Sequence, residues 1–330
     1  MGEDFTTLVD LASARFGGRV LFANDEFFGS RHNLCRPEAP VFIADKFSAD
    51  GKWMDGWETR RKRGPGHDWC LVELAERGVV RGVDIDTSFF TGNFPEKASI
   101  DACDVTAAVT RKTVDHLPWS SVLSPVLLAG NAHNRFPIGI KRAVTHLRLR
   151  IYPDGGVARL RVYGEVVVDW KRKKGLVDLA AMENGGRAVL ASDEHFGSMN
   201  NLLLPGRAPN LGEGWQTRRR RGPGYDWVIV RLGAPGRIEK IEIDTTHFKG
   251  NYPESATLEG AFAPSATAED FATNQVPFTR LLFQQKLRPN RRHPITTGIS
   301  KHDAVSHVRL KIVPDGGVSR LRVYGRPRLT

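Results

Sequence analysis

The chain has 330 residues, more than one average domain, and with 40% hydrophobic and 26% charged residues its composition excludes a disordered polymer. No run of about twenty apolar residues is available to span a bilayer, and residues 1–16 lack the basic-then-apolar layout of a signal peptide, so a cytoplasmic protein is predicted. The net charge of +11 favours anionic partners, which admits nucleic acid, an anionic membrane face or small carboxylate and phosphate ligands. Cys35, Cys70 and Cys103 have no counterparts in the second half and no metal-ligand spacing, so a disulfide framework is not expected.

Taken in chain order, a helix-like lead-in is expected over 7–14, followed by a strand from Arg19 to Ala23. Apolar runs at 71–74 and 83–85 read as an antiparallel pair around 75–82. Residues 144–151 alternate apolar and polar, Pro153-Asp154-Gly155-Gly156 supplies turn chemistry, and 157–163 alternate again, which predicts a hairpin. Residues 228–232 and 241–243 repeat the first pair. Many short strands with Gly- and Pro-bearing turns predict an all-β chain of sandwich or jelly-roll type.

The chain is one design written twice. Leu8-Val9-Asp10-Leu11-Ala12 returns as Leu176-Val177-Asp178-Leu179-Ala180, residues 57–69 match 215–227 at ten of thirteen positions, and 143–164 recur as 304–325. Two domains, 1–168 and 169–330, are therefore expected, joined near the basic stretch Lys171-Arg172-Lys173-Lys174. The copies are not equivalent. Residues 46–55 have no counterpart, Glu58 becomes Gln216, His67 becomes Tyr225, Phe27 becomes His195 and Phe89 becomes His247.

If the strands near Asp68 and Asp86 are antiparallel, those ends lie together and the loops 57–68 and 86–93 converge, as do their copies. Arginines beside Trp, Asp and Asn suit a small anion, because a guanidinium meets a carboxylate through two parallel charge-assisted bonds. The same arginines could equally pair with Asp68 and Asp86 as surface packing. Phe28, Trp69 and Trp227 read as core, and His146 and His307 as half-buried strand residues. The runs 60–63 and 218–221 sit in Gly/Pro loops without any recognised nucleic-acid motif, so neither nucleic acid nor a membrane is expected as a partner.

Trp53-Met54-Asp55-Gly56-Trp57-Glu58-Thr59-Arg60-Arg61, Gly66-His67-Asp68-Trp69-Cys70, Asp84-Ile85-Asp86-Thr87 and Gly92-Asn93, with their second-half echoes, resemble the allantoicase family over nearly the whole chain. The resemblance implies two jelly-roll β-sandwiches of the galactose-binding-like type, hydrolysis of allantoate to ureidoglycolate and urea, and a homo-oligomer. A non-catalytic carbohydrate- or anion-binding pair is the alternative. The roles of individual residues rest on the loops. Glu58, His67, Asp68 and Asp86 are the candidate acid–base groups, since urea release needs a proton donor and an activated water. Trp57, Arg60, Arg61 and Asn93, with Arg218, Arg219, Asp244, His247 and Asn251 of the second copy, are the candidate substrate contacts. A divalent metal is possible as cofactor, although no ligand motif marks one. Gln216 exchanges no proton near neutral pH, so catalysis is expected in the first copy or between copies.

Overall fold

The computed structural model describes residues 4–328, and the chain divides after Val167 into two compact units. The first unit opens with β1 (Val9–Asp10) and β2 (Arg19–Ala23), then the small β3 (Phe47–Ser48), β4 (Gly51–Lys52) and β5 (Trp57–Glu58). Its spine is β6 (Asp68–Asp86), followed by β7 (Lys97–Cys103), β8 (Ser120–Leu127), β9 (His133–Pro137), β10 (Val144–Tyr152), β11 (Gly156–Val157) and β12 (Arg159–Val166).

β6 belongs to two layers. Its first half pairs with β2 and β10, and β10 leads on to β7 and β8; its second half pairs with β9 and β12, and β12 carries β1 on its far side. The crossing point is Gly78, which is in register with both Val144 of β10 and Val166 of β12. A methyl group there would press on Leu11 at 2.7 Å and on the Glu165 carbonyl at 2.9 Å, so this position suits glycine. Between the layers lie Cys70, Val72, Val83, Ile85, Leu147, Leu149, Leu160 and Val162, all at 0% exposure. Each such side chain contributes roughly 1.5–3 kcal/mol by leaving water.

Two sequence expectations are corrected by this topology. The segments 71–74 and 83–85 are not a hairpin but one bent strand, and 144–151 with 157–163 are not a hairpin because β6 lies between them. The loops still converge, for another reason: Asp68 pairs with Ile151 and Asp86 with Arg159, and only residues 152–158 join those two partners. The lead-in is not helical over 7–14. It makes a 3-10 turn, Phe5–Thr7, and then β1, where Asp10 accepts hydrogen bonds from the backbone N–H groups of Ala12 (3.1 Å) and Val162 (2.9 Å). That side chain competes with the helical ladder.

The second unit repeats the order with β13 (Val177–Asp178), β14 (Arg187–Ala191), β15 (Trp215–Gln216), β16 (Asp226–Asp244), β17 (Ser255–Ala261), β18 (Thr279–Lys286), β19 (Arg292–Ile295), β20 (Val305–Val313), β21 (Gly317–Val318) and β22 (Arg320–Pro327). β16 plays the part of β6, paired with β14 and β20 at one end and with β19 and β22 at the other. The α-helix α1 (Ala268–Ala272) is a short turn closed by a Thr267–Asp270 capping box. No helix among the described residues is long and apolar enough to cross a membrane.

The duplicated Pro-Asp-Gly-Gly turn has a steric basis. Gly155 has φ 136°, and a methyl group on Gly156 would sit 1.9 Å from the ring of Phe90, which is itself fully buried against Met54 and Ala158. A methyl group on Gly317 would sit 1.9 Å from the ring of Phe248 in the same way. Gly156→Ala is expected to cost about 1–3 kcal/mol by overpacking, whereas Gly139→Ala, where nothing lies within 4 Å, should change stability by about 0.5 kcal/mol or less. Denaturant unfolding of the two variants checks this.

Candidate active site

The geometry of the first unit's site starts from backbone hydrogen bonds. Glu58 pairs with Gly156 of β11 on one side and forms a bridge with Gly29 on the other, its N–H donating to the Gly29 carbonyl at 3.1 Å and its carbonyl accepting from Gly29 at 3.1 Å. Gly156 in turn donates its N–H to the carbonyl of Asn93 at 2.7 Å. Glu58 and Asn93 are thus tied to the same glycine, and their side chains meet: Asn93 Nδ2 donates to Glu58 Oε1 at 2.7 Å. Burial pushes the Glu58 carboxyl above the usual range, against the downward pull of the Asn93 bond.

Glu58 opens onto a cavity of about 400 Å³ bounded by Phe28, Phe42, Lys52, Met54, Phe89, Thr91 and Asn93. Phe89 holds a left-handed backbone at φ 69°, unusual for a bulky residue, and is pinned there by its N–H donating to Asn131 Oδ1 at 2.8 Å. Its ring stacks on Phe42 with centroids 5.8 Å apart. Lys52 donates to the Ala44 carbonyl at 2.9 Å, stands over the Phe42 ring, and makes no ion pair with the described residues. The site therefore combines a carboxyl of raised pKa, an amide, a hydroxyl and a cation against aromatic walls.

The other first-copy candidates are placed elsewhere. Trp57 is fully buried, its indole N–H donating to the Asp25 carbonyl at 2.7 Å, so it supports the loop from below. Arg60 pairs with Asp25 at 2.7 Å and lies over Phe27, while Arg61 is exposed. Asp68 is buried and accepts from Asn24 (2.7 Å) and Lys62 (2.5 Å), which makes it a loop anchor. Asp86 is 2% exposed and accepts from the Ser88 N–H at 2.8 Å, closing the turn after β6. His67 packs on Tyr152, and burial, then Arg150 and Arg148, lower its pKa below the usual imidazole range. Among the described residues no three His, Cys, Asp or Glu side chains converge, and Glu58 is the cavity's single carboxylate, so its donor set does not fit a divalent metal.

In the second unit Gln216 occupies the Glu58 frame, bridged to Gly197 and Gly317, with Gly317 donating to the Asn251 carbonyl at 2.8 Å. His247 keeps the left-handed backbone of Phe89, but its imidazole donates to the Ala208 carbonyl at 2.8 Å. Asp244 accepts from Thr246 at 2.8 Å and 2.6 Å, repeating the turn of Asp86. Arg218, Arg219 and Arg220 line a separate hollow of about 240 Å³ with Ser192, Asp193 and Asp226. Two of the three are already engaged, Arg218 by Asp193 and Arg220 by Asp226.

Sequence reasoning missed Lys52, Phe42, Met54 and Thr91, and it gave Phe28 to the core, whereas Phe28 is half-buried at the cavity wall. Trp69 and Trp227 are also half-buried, on the outer face of the strands that Asp68 and Asp226 begin, and His146 and His307 are buried rather than half-buried. A signal for Lys52 and Met54 was present: both fall in the segment 46–55 that breaks the repeat.

The allantoicase repeat profile matches residues 9–167 and again residues 177–328. The chain belongs to the allantoicase family. Within that family it is 50% identical to a protein named probable allantoicase 1 from Burkholderia mallei, over 96% of this chain and 94% of that one. It is 45% identical to a probable allantoicase of Acinetobacter baumannii over 98% and 95% of the two chains. The crystal structure of allantoicase from Saccharomyces cerevisiae superposes with a TM-score of 0.82 at 37% identity, covering 96% of this chain and 92% of that one. The tandem all-β architecture is thus that of the allantoicases.

A raised carboxyl pKa has a thermodynamic consequence for this allantoicase-family chain. The folded state holds the Glu58 proton to higher pH than the unfolded chain does, so stability is expected to fall as pH rises from the ordinary glutamate range through the raised value. Glu58→Gln, which can still accept from Asn93, should lack that loss and unfold at a higher temperature than the parent at neutral pH, with the difference vanishing at low pH. Thermal unfolding followed from pH 4 to pH 8 measures it.

Proposed function

We propose that the first unit's cavity is where this allantoicase hydrolyses allantoate to ureidoglycolate and urea, with Glu58 as the general acid. One observation carries the reading: a carboxyl raised by burial and oriented by Asn93 opens onto a cavity that also holds Lys52, a cation with no ion pair among the described residues.

Allantoate has one carboxylate and two planar ureido groups on a single carbon. Lys52 suits the carboxylate, and Asn93 and Thr91 offer donors and acceptors to the ureido groups. The protonated Glu58 carboxyl gives its proton to the nitrogen of the departing ureido group. The carbon–nitrogen bond breaks with its electron pair going to that nitrogen, and urea leaves neutral. Water adds its oxygen to the central carbon, and the proton it sheds returns to the Glu58 carboxylate. Burial of Glu58 holds its proton to a higher pH than an exposed glutamate would keep it. No step is routed through a metal.

The two copies take different parts in this reading. The second unit, with Gln216 in the acid's place, supplies scaffold and surface, including its arginine hollow. A homo-oligomer in the cytoplasm completes the reading, and light scattering on the purified chain tests the assembly.

Glu58→Gln is expected to lower kcat for urea release by about 100-fold or more, and to remove the fall in activity that deprotonation of Glu58 causes as pH rises. Asp244→Asn, in a turn of the second unit, should keep turnover within about threefold. Lys52→Met should raise KM for allantoate about tenfold with a smaller effect on kcat. A urea-release assay across pH settles all three, and near-parental turnover in the Glu58 variant sinks the assignment.

A further inference from the structure

Three walls of the cavity, Phe42, Lys52 and Met54, come from residues 41–55, where β3 and β4 pair only with each other. This segment is not held by a core of its own, since Val41, Phe42, Ile43 and Phe47 are 45–67% exposed. What fixes it lies at its neck. Arg159, fully buried at the start of β12, donates from Nε to the Glu38 carbonyl (2.9 Å), from Nη1 to the Asp55 carbonyl (2.9 Å) and from Nη2 to Asp55 Oδ2 (2.8 Å). One guanidinium therefore grips both ends of the loop.

Asp55 completes the clasp. It is 4% exposed, and it accepts from the Val41 N–H through Oδ2 at 3.0 Å and from Arg36 Nη1 through Oδ1 at 3.1 Å. Burial acts to raise its pKa, but the bonds from Arg159 and Val41 outweigh it and hold the carboxyl below the usual range, so it stays charged against the guanidinium. In the second unit the equivalent Arg320 donates to the carbonyl of Glu213, which stands at the Asp55 position before Gly-Trp, so the buried arginine is kept while the inserted residues are not. The cavity wall of residues 41–55 belongs to the unit that carries Glu58.

We propose that Asp55 is a positioning residue for the substrate: with Arg159 it locks residues 38–55 in the closed form in which Phe42, Lys52 and Met54 complete the cavity. This rests on reading that cavity as the allantoate site. Affinity then depends on the clasp, because an open segment must be ordered before Lys52 can meet the carboxylate, while the proton transfer from Glu58 does not.

The test uses the full chain with Asp55→Asn and, as a milder change at a partly exposed partner, Arg36→Met, measured by urea-release kinetics and by amide hydrogen exchange. Asp55→Asn is expected to raise KM for allantoate about tenfold with kcat within about threefold, and Arg36→Met to raise KM about two- to fivefold. Exchange should quicken over 41–54 while the amides of β6 and β10 keep their protection. Unchanged KM in both variants overturns the proposal, as does a fall in kcat alone or loss of protection throughout the first unit. If Asp55→Asn does not fold, Arg36→Met decides by the same readings. A raised KM in these variants alongside full turnover in Glu58→Gln leaves the clasp standing and removes only the acid role of Glu58. Faster exchange over 41–54 with KM unmoved shows a loop that positions no substrate, and the proposal falls.

Discussion

The candidate site of the first unit depends on a two-residue strand, β5, held by backbone hydrogen bonds between Gly29 and Gly156. Trp57 anchors it from below through its buried indole, and Asn93 is attached to the same Gly156. Without that seat Glu58 would be an ordinary solvated glutamate. With it, the carboxyl is half-buried, oriented from one side and raised in pKa. The cost of desolvating an acid is borne by packing that lies elsewhere, in the sandwich under Phe90.

The duplicated frame separates scaffold from chemistry. Both units keep the buried tryptophan, the glycine pair against a buried phenylalanine, and the left-handed residue after the long strand. Those features solve one steric problem twice. What differs is the group placed on the frame: Glu58 against Gln216, Phe89 against His247, and an inserted segment present only once. Residues that hold a loop in place can be retained while the residue it presents changes, because the backbone hydrogen bonds do not depend on the side chain.

The strong positive charge has a more local meaning than a basic surface for polyanions. Arg60 and Arg218 are matched to Asp25 and Asp193 of a neighbouring loop, and Lys62 and Arg220 to Asp68 and Asp226 at the end of their own. The pairs of Arg60 and Arg218, whose guanidinium groups face solvent, contribute little stability, on the order of 0–1 kcal/mol, while Lys62 and Arg220 cap buried carboxylates; all four fix loop direction. Lys52 differs in facing a cavity without a carboxylate partner among the described residues, and it lies outside the arginine runs.

By itself the sequence determined the duplication, the all-β class, the turn at 153–156, the meeting of the loops after Glu58 and Asp86, and the asymmetry at Glu58 and 46–55. These are legible because repeats, alternation and turn chemistry are local properties of the chain. Only the tertiary structure decided that β6 is one strand shared by two layers, that Trp57 rather than Trp69 is the buried tryptophan, and that of four acid–base candidates Glu58 alone opens onto the cavity. Alternation says which residues share a face of a strand. Which face is covered, and which charge meets its partner, is set by pairings between residues far apart in the chain, as between Glu58 and Gly156 or Asp55 and Arg159, and those exist only once the sheets have formed.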